Sequence, residues 1–189
     1  MAAAFLLLPI GLMAQERYQV GVCDWMILKR QKLGAFDLAR QLGCDGIELD
    51  MGGLGDRPAF DNKLRDAKEA AVFKRTADSL DIQVGAVAMS GFYAQDLTKK
   101  DTYLELVGDC FDTMDKMGGA KVAFLPLGGC GNDWSTDHAK RAIITKRLHE
   151  IGEAAKARGK RVVLESPRAT LHVHALREGV DSNDSRSGR

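Results

Sequence analysis

Carboxylates follow three of the short apolar runs in this sequence. Glu165 comes directly after such a run, Glu48 and Asp50 lie two residues apart in another, and Asp24 closes the first. In parallel α/β proteins the carboxyl ends of the strands carry the chemistry. A carboxylate there can act as a general acid or base, and its oxygens suit hard divalent metals such as Mg²⁺ and Mn²⁺.

Glu165 is the main candidate for a functional residue. It lies in the segment KRVVLESP, in which three apolar residues precede it. A carboxylate is costly to bury unless it meets a cation, a metal or hydrogen-bond donors. We therefore predict that Glu165 is a functional residue and a metal ligand. The alternative is that Glu165 emerges into water and pairs with Arg161 or Arg168.

Glu48 and Asp50 are predicted to bind substrate. Residues two apart on a strand point to the same side, so both oppose Ile47 and Leu49. Inward polar residues near the rim of a barrel touch substrate in many enzymes. A surface salt bridge is the alternative interpretation for both carboxylates.

Asp24 and Trp25 end the first predicted strand and are the other two predicted substrate-binding residues. The indole of Trp25 can stack on a sugar ring, although packing in the core is the commoner role for such a residue. His172 and His174 form an H-x-H pair that could bind Zn²⁺, but chance explains so short a motif better.

Apolar runs alternate with amphipathic segments along most of the chain. This pattern predicts parallel strands with right-handed crossovers, and no G-x-G-x-x-G follows the first strand, which favours a (β/α) barrel over a dinucleotide fold. The predicted strands cover residues 18–25, 45–51, 82–89, 121–127 and 161–165, and the predicted helices cover 35–42, 61–80, 102–117 and 138–158.

The fold class predicted is thus an incomplete TIM-type (β/α) barrel with about five parallel strands and four helices. A complete barrel has eight such units in roughly 250 residues. We expect a truncated barrel that a partner could complete, with a homo-oligomer as one form.

The two ends of the sequence differ from the middle. Residues 1–14 are an apolar run too short to span a bilayer and are predicted to be a signal peptide, so we expect an exported protein, periplasmic or secreted. Residues 15–167 form the partial barrel domain. Residues 168–189 have a polar Ser/Asp/Arg/Gly end and are predicted to be a disordered tail.

Composition excludes several partners. The 189 residues carry 27 basic and 26 acidic side chains, and aromatic residues make up 6%. This balance gives no electrostatic support for binding nucleic acid or, once the signal peptide is removed, a membrane. Four His and a near-neutral charge also argue against a phosphodiester-cleaving enzyme.

The order and spacing of the strand ends resemble the xylose isomerase-like barrels of the sugar phosphate isomerase/epimerase family. The segments that carry the resemblance are VGVCDW, DGIELDMGGLG, AMSGFYAQ, KVAFLPLG and VVLES. The resemblance implies metal-assisted proton transfer next to the carbonyl of a sugar or sugar phosphate, with Mn²⁺, Mg²⁺ or Zn²⁺ as the metal.

The family pattern also implies that Glu165 is the first metal ligand and one of two acid/base glutamates. The other ligands, an Asp, a His and a second Glu, come from later strands that this sequence lacks. A non-catalytic exported binding or scaffold fragment is therefore the alternative function.

Overall fold

Five strands and four helices make up the described chain. The computed structural model describes residues 18–132, 134 and 136–165. The strands are β1 (Gly21–Cys23), β2 (Gly46–Asp50), β3 (Gln83–Ala88), β4 (Val122–Pro126) and β5 (Arg161–Glu165), and the helices are α1 (Gly34–Gln41), α2 (Ala67–Ser79), α3 (Tyr103–Lys116) and α4 (His138–Ala157).

All neighbouring strands pair in parallel, in the order β1-β2-β3-β4-β5. A helix lies between each strand and the next, as parallel connections require. This arrangement confirms the predicted fold class of five parallel strands and four helices in a partial TIM-type barrel. The carboxyl ends of the strands all lie at the same edge of the sheet.

One face of the sheet packs against the helices and holds the core. Ile47 and Leu49 of β2 are buried against α1 and α2 through residues such as Phe36 and Phe73. Further along the sheet, Leu125 of β4 belongs to a second buried cluster with residues of α3 and α4. Two apolar clusters on the same face thus fix the side to which each strand residue points.

The opposite face of the sheet carries the strand residues that alternate with these core residues, and we call it the open face. Glu48 alternates with Ile47 and Leu49, and Val163 and Glu165 alternate with Val162 and Leu164. The near-continuous apolar run at 82–89 is typical of a strand covered on both sides, but Gln83 and Gly85 are exposed. No described element packs over the open face there.

The predicted helix at 61–80 is interrupted in the structure. A short 3-10 turn, Lys63–Arg65, comes first, and α2 begins only after Asp66. The Asp66 side chain accepts hydrogen bonds from the amides of Lys68 and Glu69, which caps the helix. Apolar spacing alone did not locate this start.

The apolar run of β5 is typical of a buried strand, but β5 is the last strand of the described sheet. Val163 and Leu164 are 48% and 41% exposed, and Glu165 is exposed as well.

Among the described residues, no helix is long and apolar enough to cross a membrane. The predicted signal peptide at 1–14, the tail at 168–189, and the pair His172 and His174 lie outside the described residues.

Candidate active site

The predicted site residues lie at the carboxyl ends of β1, β2 and β5. Asp24 and Trp25 directly follow β1, Glu48 and Asp50 belong to β2, and Glu165 is the last residue of β5. The structure divides them into a buried set and an open set. Asp24 and Asp50 are fully buried, whereas Trp25 and Glu48 are half-buried and Glu165 is exposed.

Asp24 uses both carboxylate oxygens to bind backbone amides. Its Oδ1 accepts from the Asp50 amide at 3.1 Å, and its Oδ2 accepts from the Gln31 amide at 2.8 Å. Burial raises the pKa of Asp24 to about 7, with the amide of Gln31 acting against the rise and the charge of Asp50 adding to it. Asp24 therefore joins the loop after β1 to the end of β2, and its contact with a substrate stays a prediction.

Asp50 is held by a cation and by its own loop. Its Oδ1 lies 2.9 Å from Nε of Arg30 and accepts from the Gly52 amide at 2.8 Å. Its Oδ2 has no hydrogen-bond partner in the described part of the chain. Burial raises the pKa of Asp50, and the Ser90 hydroxyl dipole and the Arg30 charge oppose that rise.

A buried amide network lies behind these two carboxylates. The Gln31 side chain donates to the Asp50 carbonyl and to Asn62 Oδ1, both at 2.8 Å, and accepts from the Lys63 amide. Asn62 in turn donates to the Thr113 hydroxyl of α3 at 2.9 Å. Gln31 was missed in the sequence because loop residues show no periodicity, and Asn62 was missed because it fell within the predicted helix at 61–80. The network joins the loop after β1 and the segment after β2 to α3 and so stabilises this end of the sheet.

Glu48 faces the open side with a thiol as its partner. Cys23 Sγ lies 3.7 Å from Glu48 Oε1, and burial together with Glu48 raises the pKa of this thiol to about 12. The neutral thiol therefore donates to the carboxylate. Burial raises the pKa of Glu48 as well, partly offset by the thiol, while the charges of Asp50 and Glu165 raise it further.

Glu165 is bound by a tyrosine that the sequence did not single out as functional. The Tyr93 hydroxyl, from the 3-10 turn Ser90–Tyr93 after β3, donates to Glu165 Oε2. Burial and the charge of Glu165 raise the pKa of this phenol. The alternative pairing of Glu165 with Arg161 is not formed, and Arg168 lies outside the described residues.

Three aromatic rings, which we call the aromatic row, make two ring contacts that share Phe124. Trp25 stacks on Phe124 with ring centroids 6.4 Å apart and planes at 25°, and the Tyr93 ring lies 6.2 Å from that of Phe124. The Trp25 ring thus packs on Phe124 and is also half exposed to solvent. An aromatic surface beside carboxylate acceptors is suited to bind the C–H face and the hydroxyl groups of a sugar.

The described residues do not fit a divalent metal. Within residues 18–132, 134 and 136–165, no three His, Cys, Asp or Glu side chains are placed to hold one ion together. One oxygen of Glu165 already accepts from Tyr93. We therefore derive no chemical step through a metal, and metal binding by Glu165 stays a prediction.

A sequence model of the xylose isomerase-like TIM barrel family matches residues 36–181. The chain therefore belongs to that family. The matched region contains β2 to β5, α2 to α4 and most of α1, and it includes Glu48, Tyr93 and Glu165. The match to this barrel family agrees with the parallel sheet and with the resemblance seen in the sequence.

Solved structures share the fold at low sequence identity. A sugar phosphate isomerase/epimerase from Parabacteroides distasonis superposes with a TM-score of 0.54 and 13% identity, covering 82% of this chain and 53% of that one. A xylose isomerase domain protein from Planctomyces limnophilus gives 0.53 and 14%, covering 78% and 53%. The 3-keto-D-glucoside 4-epimerase from E. coli gives 0.51 and 16%, covering 70% and 49%.

The chain spans about half the length of these three structures. At such identities the similarity shows the fold alone, so the activities in their names belong to those proteins. Among curated proteins, none matches this chain.

Proposed function

We propose that the open face binds a sugar or sugar phosphate and promotes proton transfer next to its carbonyl group, as an isomerase or epimerase does. The observation that carries the proposal is the grouping of Glu48 and Glu165 around the aromatic row of Trp25, Phe124 and Tyr93 at the carboxyl ends of the strands. Membership of the xylose isomerase-like family supports the same class.

Each part of this site has a role in the proposed chemistry. The aromatic row would bind the apolar face of the sugar and exclude water from one side of it. Glu165 would accept a proton from the carbon beside the carbonyl, with its carboxylate oriented by the Tyr93 hydroxyl.

A turnover assay tests the proposal. The full chain is incubated with D-fructose, D-xylose, D-fructose 6-phosphate and D-ribulose 5-phosphate, with and without Mn²⁺ or Mg²⁺, and the products are separated by chromatography. We expect turnover of at least one sugar and a loss of about 100-fold or more in Glu165→Gln, because a general acid–base group contributes that much.

The matched control is Glu153→Gln, which removes the same charge from an exposed position of α4. It should keep the activity of the unmodified chain. Equal losses in both variants, or no turnover of any sugar in the panel, would contradict the proposal.

Sugar binding without turnover is the second candidate function. It is favoured by the aromatic row, which can bind a sugar without any proton transfer. In this case calorimetry should detect sugar binding that Trp25→Ala weakens, together with weak or no Mn²⁺ binding, and Glu165→Gln should change neither result.

A further inference from the structure

Arg30 lies in the loop after β1 and contacts the ends of the next two strands. Its Nε lies 2.9 Å from Asp50 Oδ1, and its Nη2 donates to the Ser90 hydroxyl at 3.2 Å. Asp50 ends β2 on the same side of that strand as Glu48, because residues two apart on a strand share a face. Arg30 therefore covers a buried carboxylate at the rim of the open face.

These two contacts leave part of the guanidinium available. The side chain of Arg30 is 44% exposed, whereas that of Asp50 is fully buried. A guanidinium presents five N–H donors in a rigid plane, and within the described part of the chain Nη1 of Arg30 has no partner. The ion pair with Asp50 accounts for Nε but not for the contact with Ser90, which fixes the plane of an exposed group.

The loop that carries Arg30 is held in one conformation. Leu28 and Gln31 have a left-handed backbone, with φ of 58° and 43°, which residues other than glycine rarely adopt. Such residues persist where surrounding contacts fix them. Here the Asp24 carboxylate accepts from the Gln31 amide, and the Gln31 side chain donates to the Asp50 carbonyl. The position of Arg30 is therefore set before any ligand binds.

The same loop is basic. Residues 25–33 contain Lys29, Arg30 and Lys32 and no acidic residue. Lys29 is half-buried and Lys32 is exposed, and neither forms an ion pair with a carboxylate of the described residues. Three cations in one loop produce a positive potential that attracts anions.

One turn joins Arg30 to the proposed proton acceptor. Ser90 is the first residue and Tyr93 the last residue of the 3-10 turn after β3. Ser90 contacts Arg30, and Tyr93 contacts Glu165. Four residues of 3-10 helix rise only about 6 Å from the first to the last. The guanidinium and the carboxylate thus contact the two ends of one short turn.

We propose that Arg30 determines substrate specificity by binding an anionic group of the sugar, either a phosphate or a carboxylate. This inference rests on the proposed function and narrows its substrate class to charged sugars. The planar fork of an arginine matches the paired oxygens of both anions. Lys29 and Lys32 add positive charge beside it, and an arginine that is fixed in advance loses less conformational entropy on binding.

Calorimetry with two pairs of sugars measures this preference. D-Fructose 6-phosphate against D-fructose tests the phosphate, and D-glucuronate against D-glucose tests the carboxylate. We expect the full chain to bind at least one anionic sugar about 10-fold or more tighter than its neutral partner, because hydrogen bonds between charged groups contribute that much. In Arg30→Gln this preference should disappear, while the neutral sugar binds as before.

Three further variants separate recognition from a structural role. Arg30→Lys keeps the charge beside Asp50 but not the fork, so it should fold and keep only part of the preference. Ser90→Ala removes the contact that fixes the plane of the guanidinium and should weaken the preference. Arg75→Gln removes the same charge from an exposed position of α2 and should leave the preference unchanged.

The outcomes separate this inference from the proposed function. The inference is overturned if neither anionic sugar binds tighter than its neutral partner, if Arg30→Gln keeps the preference, or if it weakens both members of a pair equally. If both Arg30 variants fail to fold, Ser90→Ala decides, since an unchanged preference overturns the inference and a weakened one supports it. A preference that depends on Arg30 without turnover of any sugar would contradict the proposed proton transfer and leave the anion-binding role of Arg30 in place.

Discussion

Asp24 and Asp50 combine full burial with negative charge at the ends of neighbouring strands. Asp24 binds two amides, and Asp50 binds Arg30 and the Gly52 amide. These contacts hold the loops that surround the open face. The energetic cost is visible in Asp24, where burial raises the pKa to about 7 from an ordinary 3.8.

This shift predicts how stability depends on pH. The folded chain holds the Asp24 proton more tightly than the unfolded chain, so the contribution of Asp24 to the free energy of unfolding falls as pH rises from about 4 to about 7 and is constant above that. The slope is at most about 1.4 kcal/mol per pH unit for a single group.

Urea unfolding of the unmodified chain and of Asp24→Asn between pH 5 and pH 8 measures this slope. The variant cannot titrate at this position, so the difference in unfolding free energy between the two proteins isolates Asp24 whatever the substitution itself costs. A difference that stays constant from pH 5 to pH 8 would show that the Asp24 carboxyl titrates normally.

At the scale of residues, the sequence predicted the face of the sheet to which a side chain points but not the residue with which that side chain forms a hydrogen bond. The two-residue period of a strand was enough to predict that Glu48 alternates with the buried Ile47 and Leu49, whereas Asp50 is buried as well. It could not predict that Tyr93 binds Glu165, because that contact joins residues 72 positions apart through the turn after β3.

At the scale of elements, the turn after β4 packs directly on the loop after β3. A Cβ on Gly129 would lie 2.1 Å from the carbonyl oxygen of Gln95, and one on Gly128 would lie 3.0 Å from that of Tyr93. No side chain fits between the two segments at these positions. The glycines therefore allow the approach that places Tyr93 beside Glu165.

Gly129→Ala should destabilise the chain by about 1–3 kcal/mol, since the backbone of one loop must move. Gly152→Ala is the matched control because its Cβ would meet nothing within 4 Å on the exposed side of α4. That substitution should stabilise the helix by about 0.5–1 kcal/mol. Urea unfolding gives both values, and a Gly129→Ala variant as stable as the unmodified chain would refute the packing described.

The strands and helices were mostly predictable because apolar periodicity and the glycines between helices and strands indicate the same boundaries along most of the chain. The start of α2 was not, since charged and apolar residues continue across it. Asp66 and Glu69 form the Asp-x-x-Glu pattern typical of a helix N-terminus, and this signal could have located the boundary.

At the scale of the whole molecule, the protection of backbone amides from hydrogen exchange is expected to vary across the sheet. Strands β2, β3 and β4 each have a neighbour on both sides, whereas β5 pairs only with β4 in the described chain. Exposed edge strands open at lower free energy than central strands.

Hydrogen exchange read by mass spectrometry should therefore show faster exchange of the β5 amides than of the β3 and β4 amides. Peptides from α4, which packs beside β5, serve as the internal reference. Equal protection of β5 and β3 would mean that a further segment or a second copy of the chain covers this edge.

The parallel alternation of elements was predictable at this scale because each unit carries its own local signal. The functional face was predictable only in part. Its carboxylates end strands that are visible in the sequence, but the aromatic row of Trp25, Tyr93 and Phe124 comes from three different units.

The link between Tyr93 and Glu165 has a consequence for how such barrels exchange parts during evolution. Glu165 ends β5, the residue that orients it follows β3, and the glycine that makes room for that residue follows β4. Recombination that replaced one β/α unit by that of a homologous barrel could preserve the sheet and its core yet leave the carboxylate without its donor. In this protein a single β/α unit is therefore enough to preserve the fold locally, whereas the environment of Glu165 depends on three such units.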